Sequence, residues 1–210
     1  MEKAILKIGI LISGRGSNLE AIITAVKNKQ LKAKICLVVS NNPKAYGIRI
    51  AENNSIPTKI IEPSNFDSFE NYEKAILNAF NQYQIDLLIL AGYMKILGST
   101  LLKAFPNKIM NIHPSLLPAF KGLHAQKQAI DFGVKYSGCT VHFVNESLDA
   151  GPIILQEMVP ILPNDTEDTL SERILIKEHA IYAKAIQLYA ENRLKIKKNK
   201  VLIEVAEKNS

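Results

Sequence analysis

Residues 109–124 read I-M-N-I-H-P-S-L-L-P-A-F-K-G-L-H. The apolar run Ile109 to Ile112 predicts a short strand. Pro114 and Pro118 end it, because proline cannot donate to a sheet ladder. Asn111 and His113 stand two residues apart, so on a strand they project to the same side. One brings an amide donor, the other a group that moves protons near neutral pH. Open α/β sheets place ligand chemistry at such carboxyl ends of strands. Spacing alone leaves a second reading open, turn chemistry beside a satisfied core histidine.

Outward from that stretch, the pattern is strand and helix in alternation. Residues 5–12 form a near-continuous apolar strand, as a parallel sheet covered on both faces requires. S-G-R-G-S-N-L follows at 13–19, then a helix over 19–28. Gly14 and Gly16 permit a tight turn, and a helix start offers unpaired N–H groups to a phosphate. Leu19 stands where a dinucleotide fingerprint has its third glycine, and no Lys-Ser/Thr ending marks a P-loop. A phosphate monoester fits better than a dinucleotide, with a plain capped Gly turn as the alternative. Strands are expected over 35–40, 58–61 and 86–93, and helices over 45–54, 99–105 and 124–132. Asp67 or Ser68 caps a helix to about 83, with Phe69, Tyr72, Ile76, Leu77 and Phe80 on one face.

Two β-runs, Gly138 to Val144 and Ile153 to Ile161, flank N-E-S-L-D-A-G-P, a connection short enough for a hairpin. Thr166 or Asp165 caps a last helix over 167–192, with Leu170, Ile174, Ile181, Ile186 and Leu188 on its apolar face. Runs 194–196 and 201–205 suit an edge hairpin. The expected fold is α/β: a Rossmann-like, open, mostly parallel twisted sheet with helices on both faces. Its antiparallel portion falls in the C-terminal half, within one domain over 1–210.

The composition, 47% hydrophobic and 22% charged, suits an ordinary core. A net charge of +6 suits an anionic ligand, but no basic block is interleaved with aromatics, so nucleic acid is discounted as a partner. The densest basic run, Lys195 to Lys200, lies near the end. Cys36 and Cys139 sit in apolar runs without C-x-x-C spacing and read as buried thiols of a reducing compartment. No apolar run approaches the ~20 residues of a membrane helix. Lys7 interrupts the N-terminal run, and no cleavage pattern follows, so a cytoplasmic protein without membrane partner is expected.

Asn111, His113, Pro114, Ser115, Leu116, Leu117 and Pro118 match an N-x-H-P-S-L-L-P segment, and the chain here resembles the folate-dependent formyltransferases. The resemblance spans nearly the whole chain and is closest to the branch acting on glycinamide ribonucleotide. It implies that Asn111 and His113 are catalytic, with Asp149 of T-V-H-F-V…L-D-A-G-P as third member. It implies ribonucleotide contacts from Gly16, Ser17, Asn18 and Pro114, with Glu178 of E-H-A-I-Y meeting the amine. Met94, Lys95, Ile96 and Leu97, with Asn111 and the loop Asn145, Glu146, Ser147, Leu148 and Asp149, would line the folate pocket. Lys121 and His124 would border the site. Three departures stand out: Lys95 where Arg is usual, Phe69 where some relatives carry an Arg for the folate tail, and Leu175 at a polar position. Without the resemblance, Asp149 reads as a turn residue, Glu178 as a solvated helix charge and 94–97 as a plain loop. His124 suits a cap as well as a site, and His142 reads as structural.

The implied reaction moves a formyl group from 10-formyltetrahydrofolate, a co-substrate, to the amine of phosphoribosylglycinamide. Asn111, and His113 when protonated, would donate to the oxyanion, and Asp149 would orient His113. A water placed by Asp149 would carry the proton to the leaving nitrogen. No metal is expected, since four His and two Cys show no ligand spacing. A homodimer is an allowed assembly. Three alternatives stand beside this reading. A transfer-RNA formyltransferase would need a long RNA-binding extension, and a deformylase would use water as acceptor. A phosphate sensor would need no catalysis at all.

Overall fold

The strands of this protein are apolar on both sides where helices cover both faces, and alternate where one side meets loops. The computed structural model describes residues 5–205, which form one nine-stranded sheet with helices on both faces. In chain order the elements are β1 (Leu6–Ile12), α1 (Ser17–Lys27), β2 (Ala33–Ser40), α2 (Tyr46–Asn53), β3 (Thr58–Ile60), α3 (Phe69–Asn81), β4 (Leu87–Leu90), α4 (Ser99–Ala104) and β5 (Ile109–His113). Then come α5 (Ala125–Phe132), β6 (Tyr136–Phe143), β7 (Ile153–Pro160), α6 (Glu167–Ala190), β8 (Leu194–Lys197) and β9 (Lys200–Ile203). A single 3₁₀ turn, Pro63–Asn65, precedes α3.

The sheet order is β3-β2-β1-β4-β5-β6-β7-β9-β8. Strands β3 to β5 are parallel, and β5, β6 and β7 pair antiparallel. The mixed sheet expected from the sequence is therefore present. From β1 the chain winds outward to β3, then returns to lay β4 on the other flank of β1. That reversal opens a crevice at the carboxyl ends of β1 and β4, the usual place for a ligand.

Several boundaries differ from the sequence expectation. Strand β4 stops at Leu90 rather than running to 93, because the chain bends out of the sheet at Ala91 and at Gly92, which has φ 75°. Strand β6 begins at Tyr136, two residues before the expected Gly138. Ser68 caps α3 and Thr166 caps α6 through a capping box. Neither aspartate caps: Asp67 accepts from Asn71, and Asp165 is held well below the usual carboxylate range by Arg173.

One face of the sheet buries Ile8, Ile10, Ile12, Met110 and Val141 against Leu19 and Ile22 of α1 and Ile174, Ile181 and Ile186 of α6. The other face buries Leu11, Leu88, Leu90 and Ile109 against Tyr72, Ile76 and Phe80 of α3 and Leu101 of α4. Each such side chain contributes roughly 1.5–3 kcal/mol by leaving water. Asn111 and His113 alternate with Met110 and Ile112, so they point to the α3–α4 side. Loops 114–122 and 144–152, not a helix, lie against them there. The gap in helical cover is where polar groups can meet a ligand.

Candidate active site

Strand pairing explains how three distant segments come together. In the β5–β6 register Asn111 faces His142 and His113 faces Thr140. The loop 144–152 then folds back over this face and carries Asp149, which sits in left-handed backbone at φ 47°. Its Oδ2 accepts the Gly122 N–H at 2.9 Å and lies 3.4 Å from His113 Nδ1. Its Oδ1 is 3.8 Å from His142 Nε2. All three side chains are under a tenth exposed. The antiparallel turn thus brings Asp149 against His113 and against His142, the cross-strand neighbour of Asn111.

Hydrogen-bond partners fix which ring nitrogens carry protons. His113 Nε2 lies 2.9 Å from the Phe120 carbonyl, which can only accept, so Nε2 is the donor and carries hydrogen. Nδ1 is left to face the Asp149 carboxylate at 3.4 Å. The Nε2 hydrogen is thus spent on the chain, and a donor role for His113 when protonated falls to Nδ1. His142 Nδ1 donates to the Phe143 carbonyl at 2.9 Å, which leaves Nε2 as an acceptor. Burial pushes the His142 pKa down and favours this neutral form. Asn111 Nδ2 sits 3.3 Å from that nitrogen and donates one hydrogen to it. The amide is oriented by this contact, and its second N–H is left for a ligand.

The turn behind these groups is pinned from below. Thr140 Oγ1 donates to the Ser115 carbonyl and accepts the Leu117 N–H, while Gln156 reaches both Thr140 and the Leu117 carbonyl. Ser115 Oγ bonds the Ala119 carbonyl. Pro114 and Pro118 stiffen the path, with a cis bond before Pro118. Lys121 is exposed, and His124 is an exposed N-cap residue of α5 paired with Glu167 at 3.1 Å. His124 holds the N-cap position without capping through its side chain, which turns outward to Glu167 as a surface residue.

At the crevice, Gly16 is the left-handed N-cap of α1 at φ 80°. A Cβ there would stand 2.6 Å from the Gly47 Cα, so glycine is required by backbone approach as well as by φ. The amides of Ser17 and Asn18 start the helix. Asn18 itself is buried, and its Nδ2 donates to Glu178 Oε2 at 2.8 Å across 160 positions of sequence. Its Oδ1 is buried and has no partner among the described residues. Glu178 is 7% exposed, which overturns the solvated-charge reading, and burial raises its pKa. One turn along α6, the Tyr182 hydroxyl lies 2.9 Å from both the Leu90 and the Met110 carbonyls, joining α6 to the ends of β4 and β5. The Met94 N–H donates to Ser13 Oγ at 2.8 Å, and the Ser13 N–H to the Gly92 carbonyl at 3.1 Å. Met94, Lys95 and Ile96 stand exposed and Leu97 is buried. Asn145, Glu146, Ser147 and Leu148 form an exposed rim beside Asp149.

The formyl transferase family's sequence pattern matches residues 6–186. The chain belongs to the formyl transferase family. It is 41% identical over 194 residues to phosphoribosylglycinamide formyltransferase of Escherichia coli (strain K12), covering 92% of each chain. It is 44% identical to the trifunctional purine biosynthetic protein adenosine-3 of Gallus gallus, but spans only 19% of that protein's length. Among solved structures, glycinamide ribonucleotide transformylase 1 from Symbiobacterium toebii superposes with a TM-score of 0.94 at 45% identity, covering 95% of this chain and 94% of that one. As a formyl transferase the chain has a donor and an acceptor to place, and the crevice and the loop-covered sheet face are two adjoining places for them. Among the described residues no group of three or more His, Cys, Asp or Glu side chains could hold a metal ion. No helix among them is long and apolar enough to cross a membrane.

Sequence reading missed His142 as a partner of Asn111 and Asp149. The signal was available: T-V-H-F-V alternates, so a register against 109–113 puts His142 on the Asn111 face. The Phe120 carbonyl and Tyr182 had no such signal, because both act through groups whose placement depends on tertiary structure.

Proposed function

We propose that this formyl transferase carries the formyl group of 10-formyltetrahydrofolate to the amine of 5-phosphoribosylglycinamide, as a single domain that needs no metal. The products are formylglycinamide ribonucleotide and tetrahydrofolate. The observation that carries the reading is the convergence of Asn111, His113 and Asp149 on one buried face of β5. The similarity to the E. coli enzyme along nine-tenths of both chains supports the choice of substrates.

In this reading the ribonucleotide phosphate binds the α1 amides at Gly16, Ser17 and Asn18, where N–H groups and the helix dipole favour an anion. Pro114 borders the ribose, and Glu178 meets the glycinamide amine. The donor's ring system lies on Met94 to Leu97 and under the rim Asn145 to Leu148. The amine nitrogen attacks the formyl carbon, and the carbonyl electron pair moves to oxygen. The free N–H of Asn111 donates to that oxyanion. The attacking nitrogen gives up a proton, and a water at Asp149 passes it to the folate nitrogen. His113 Nδ1 lies against the same carboxylate and takes up a proton in transit. The carbonyl reforms, the bond from the formyl carbon to the folate nitrogen breaks, and tetrahydrofolate leaves. No side-chain nucleophile is required. Cys139 is fully buried with its thiol pushed up to about 12, and Cys36 is free and buried. Both suit work in the reducing cytoplasm.

The test is steady-state turnover with both substrates and with each alone. Formyl transfer that requires the ribonucleotide supports the reading. Equal tetrahydrofolate release without it would make water the acceptor.

A further inference from the structure

Residues 93–98 leave β4 and carry two exposed apolar side chains, Met94 at 65% and Ile96 at 70% exposure. Loops that present apolar groups to water are ordinarily loose, since nothing packs behind them. This one is tied at both ends to α3. The Tyr93 hydroxyl lies 2.6 Å from the Tyr72 hydroxyl, and the Gly98 N–H donates to Glu73 Oε1 at 2.6 Å. The Thr100 and Leu101 N–H groups at the start of α4 also favour the Glu73 carboxylate, which lies at that helix start from a neighbouring helix. It is 2% exposed, and burial pushes its pKa up.

The geometry around these ties is tight. A Cβ on Gly98 would stand 2.7 Å from Glu73 Oε2 and 3.0 Å from a Phe69 ring carbon, so glycine is what lets the carboxylate reach the backbone. Phe66 and Phe69 both pack on the Tyr72 ring, with centroids at 5.8 and 5.7 Å, and hold its hydroxyl in place. A buried carboxylate is costly unless it accepts hydrogen bonds, and here the bond comes from Gly98 at the loop's far end.

We infer that Tyr72 and Glu73 are positioning residues for the formyl donor: by gripping Tyr93 and Gly98 they hold Met94 and Ile96 as a preformed apolar platform for its ring system. The inference takes the ligand's identity from the proposed function and the clamp from the geometry. A preformed platform saves the ordering cost at binding, so loosening it weakens the donor and leaves chemistry at Asn111 intact.

The experiment uses the full chain with Glu73→Gln and, separately, Tyr72→Phe. Glu73→Gln keeps the volume but turns an amide toward N–H groups that need an acceptor. Expected for Glu73→Gln is a KM for 10-formyltetrahydrofolate raised about tenfold, the scale of one lost charged hydrogen bond. The KM for phosphoribosylglycinamide stays at the wild-type value, and kcat stays within about twofold, the signature of lost ground-state binding. Tyr72→Phe moves the donor KM in the same direction by less. Amide exchange in the free protein rises over 93–98 and not over 109–113. An unchanged donor KM overturns the clamp, and so does an equal rise in both KM values with exchange rising across the sheet. If the wild type shows no turnover, the proposed function falls, and calorimetric binding of tetrahydrofolate decides the clamp separately. Binding about tenfold weaker in Glu73→Gln then supports it. Equal binding by both proteins, or none by the wild type, overturns it.

Discussion

Replacing Asp149 with Asn probes the whole buried array. The carboxylate does three things at once: Oδ2 takes the Gly122 N–H at 2.9 Å, the same oxygen faces His113 Nδ1 at 3.4 Å, and Oδ1 lies 3.8 Å from His142 Nε2. An asparagine can keep one acceptor, and the Gly122 amide will claim it, since an unpaired buried N–H costs about 1–3 kcal/mol. The new NH₂ then turns toward His142 Nε2, which is already the acceptor for Asn111. Two donors compete for one lone pair, and a proton on His113 Nδ1 has no anionic neighbour. Losing a charge-assisted contact of this kind costs about 1.5–3 kcal/mol, roughly 10- to 150-fold in rate. Disturbing the Asn111 donor adds to this, up to the ~10²–10³-fold of a missing oxyanion group. The expected kcat is therefore lower by about 10²–10³, with melting temperature nearly unchanged. The assay is steady-state formyl transfer beside a thermal melt. Asn111→Ala alone should lose a similar factor, and the double variant should fall little further, because the groups act as a unit. Fully multiplicative losses would refute the argument, showing two independent contributions where the structure has one connected array.

Three further outcomes follow from single contacts. Glu178→Gln lowers turnover by weakening the amine's seat yet stabilises the fold. A buried carboxylate with a raised pKa contributes stability only below its ordinary range and loses it as pH rises through the folded value. The gain in melting temperature is thus largest above neutral pH, absent in acid, and about 2–4 °C per ~1 kcal/mol relieved; a melt series across pH checks it. His142→Leu frees the Asn111 amide to rotate, so kcat falls about tenfold or more while both KM values hold, read in the same kinetic assay. Gly16→Ala is a folding defect before it is a binding defect: the left-handed φ costs about 1–2 kcal/mol and the Cβ meets the Gly47 backbone, so the melt falls even without substrate.

The fold was legible because its punctuation is chemical. Pro114 and Pro118 end β5, the glycines of 13–19 mark the first crevice turn, and the short 145–152 connection required an antiparallel return. Period-two alternation put Asn111 and His113 on one face, and the resemblance carried by N-x-H-P-S-L-L-P implied their role. What escaped the sequence were contacts whose partners lie far apart in the chain. Nothing local says that Glu178 is buried, because the 24 residues of α6 spread their polar and apolar groups around the helix, and only packing on α1 brings Asn18 to it. Nor could residue type alone reveal that His113 spends its Nε2 hydrogen on the Phe120 carbonyl, since that requires Phe120 to sit at φ 53°.

If Asn111, His113 and Asp149 pass a formyl group to an amine, the ribonucleotide must be consumed with the donor. The most direct measurement follows tetrahydrofolate release from 10-formyltetrahydrofolate by the purified chain, with phosphoribosylglycinamide present and absent, tracing the formyl carbon. Release is expected only with the ribonucleotide, with the label recovered as its N-formyl derivative. Release at the same rate without it, with the label recovered as formate, would contradict the account.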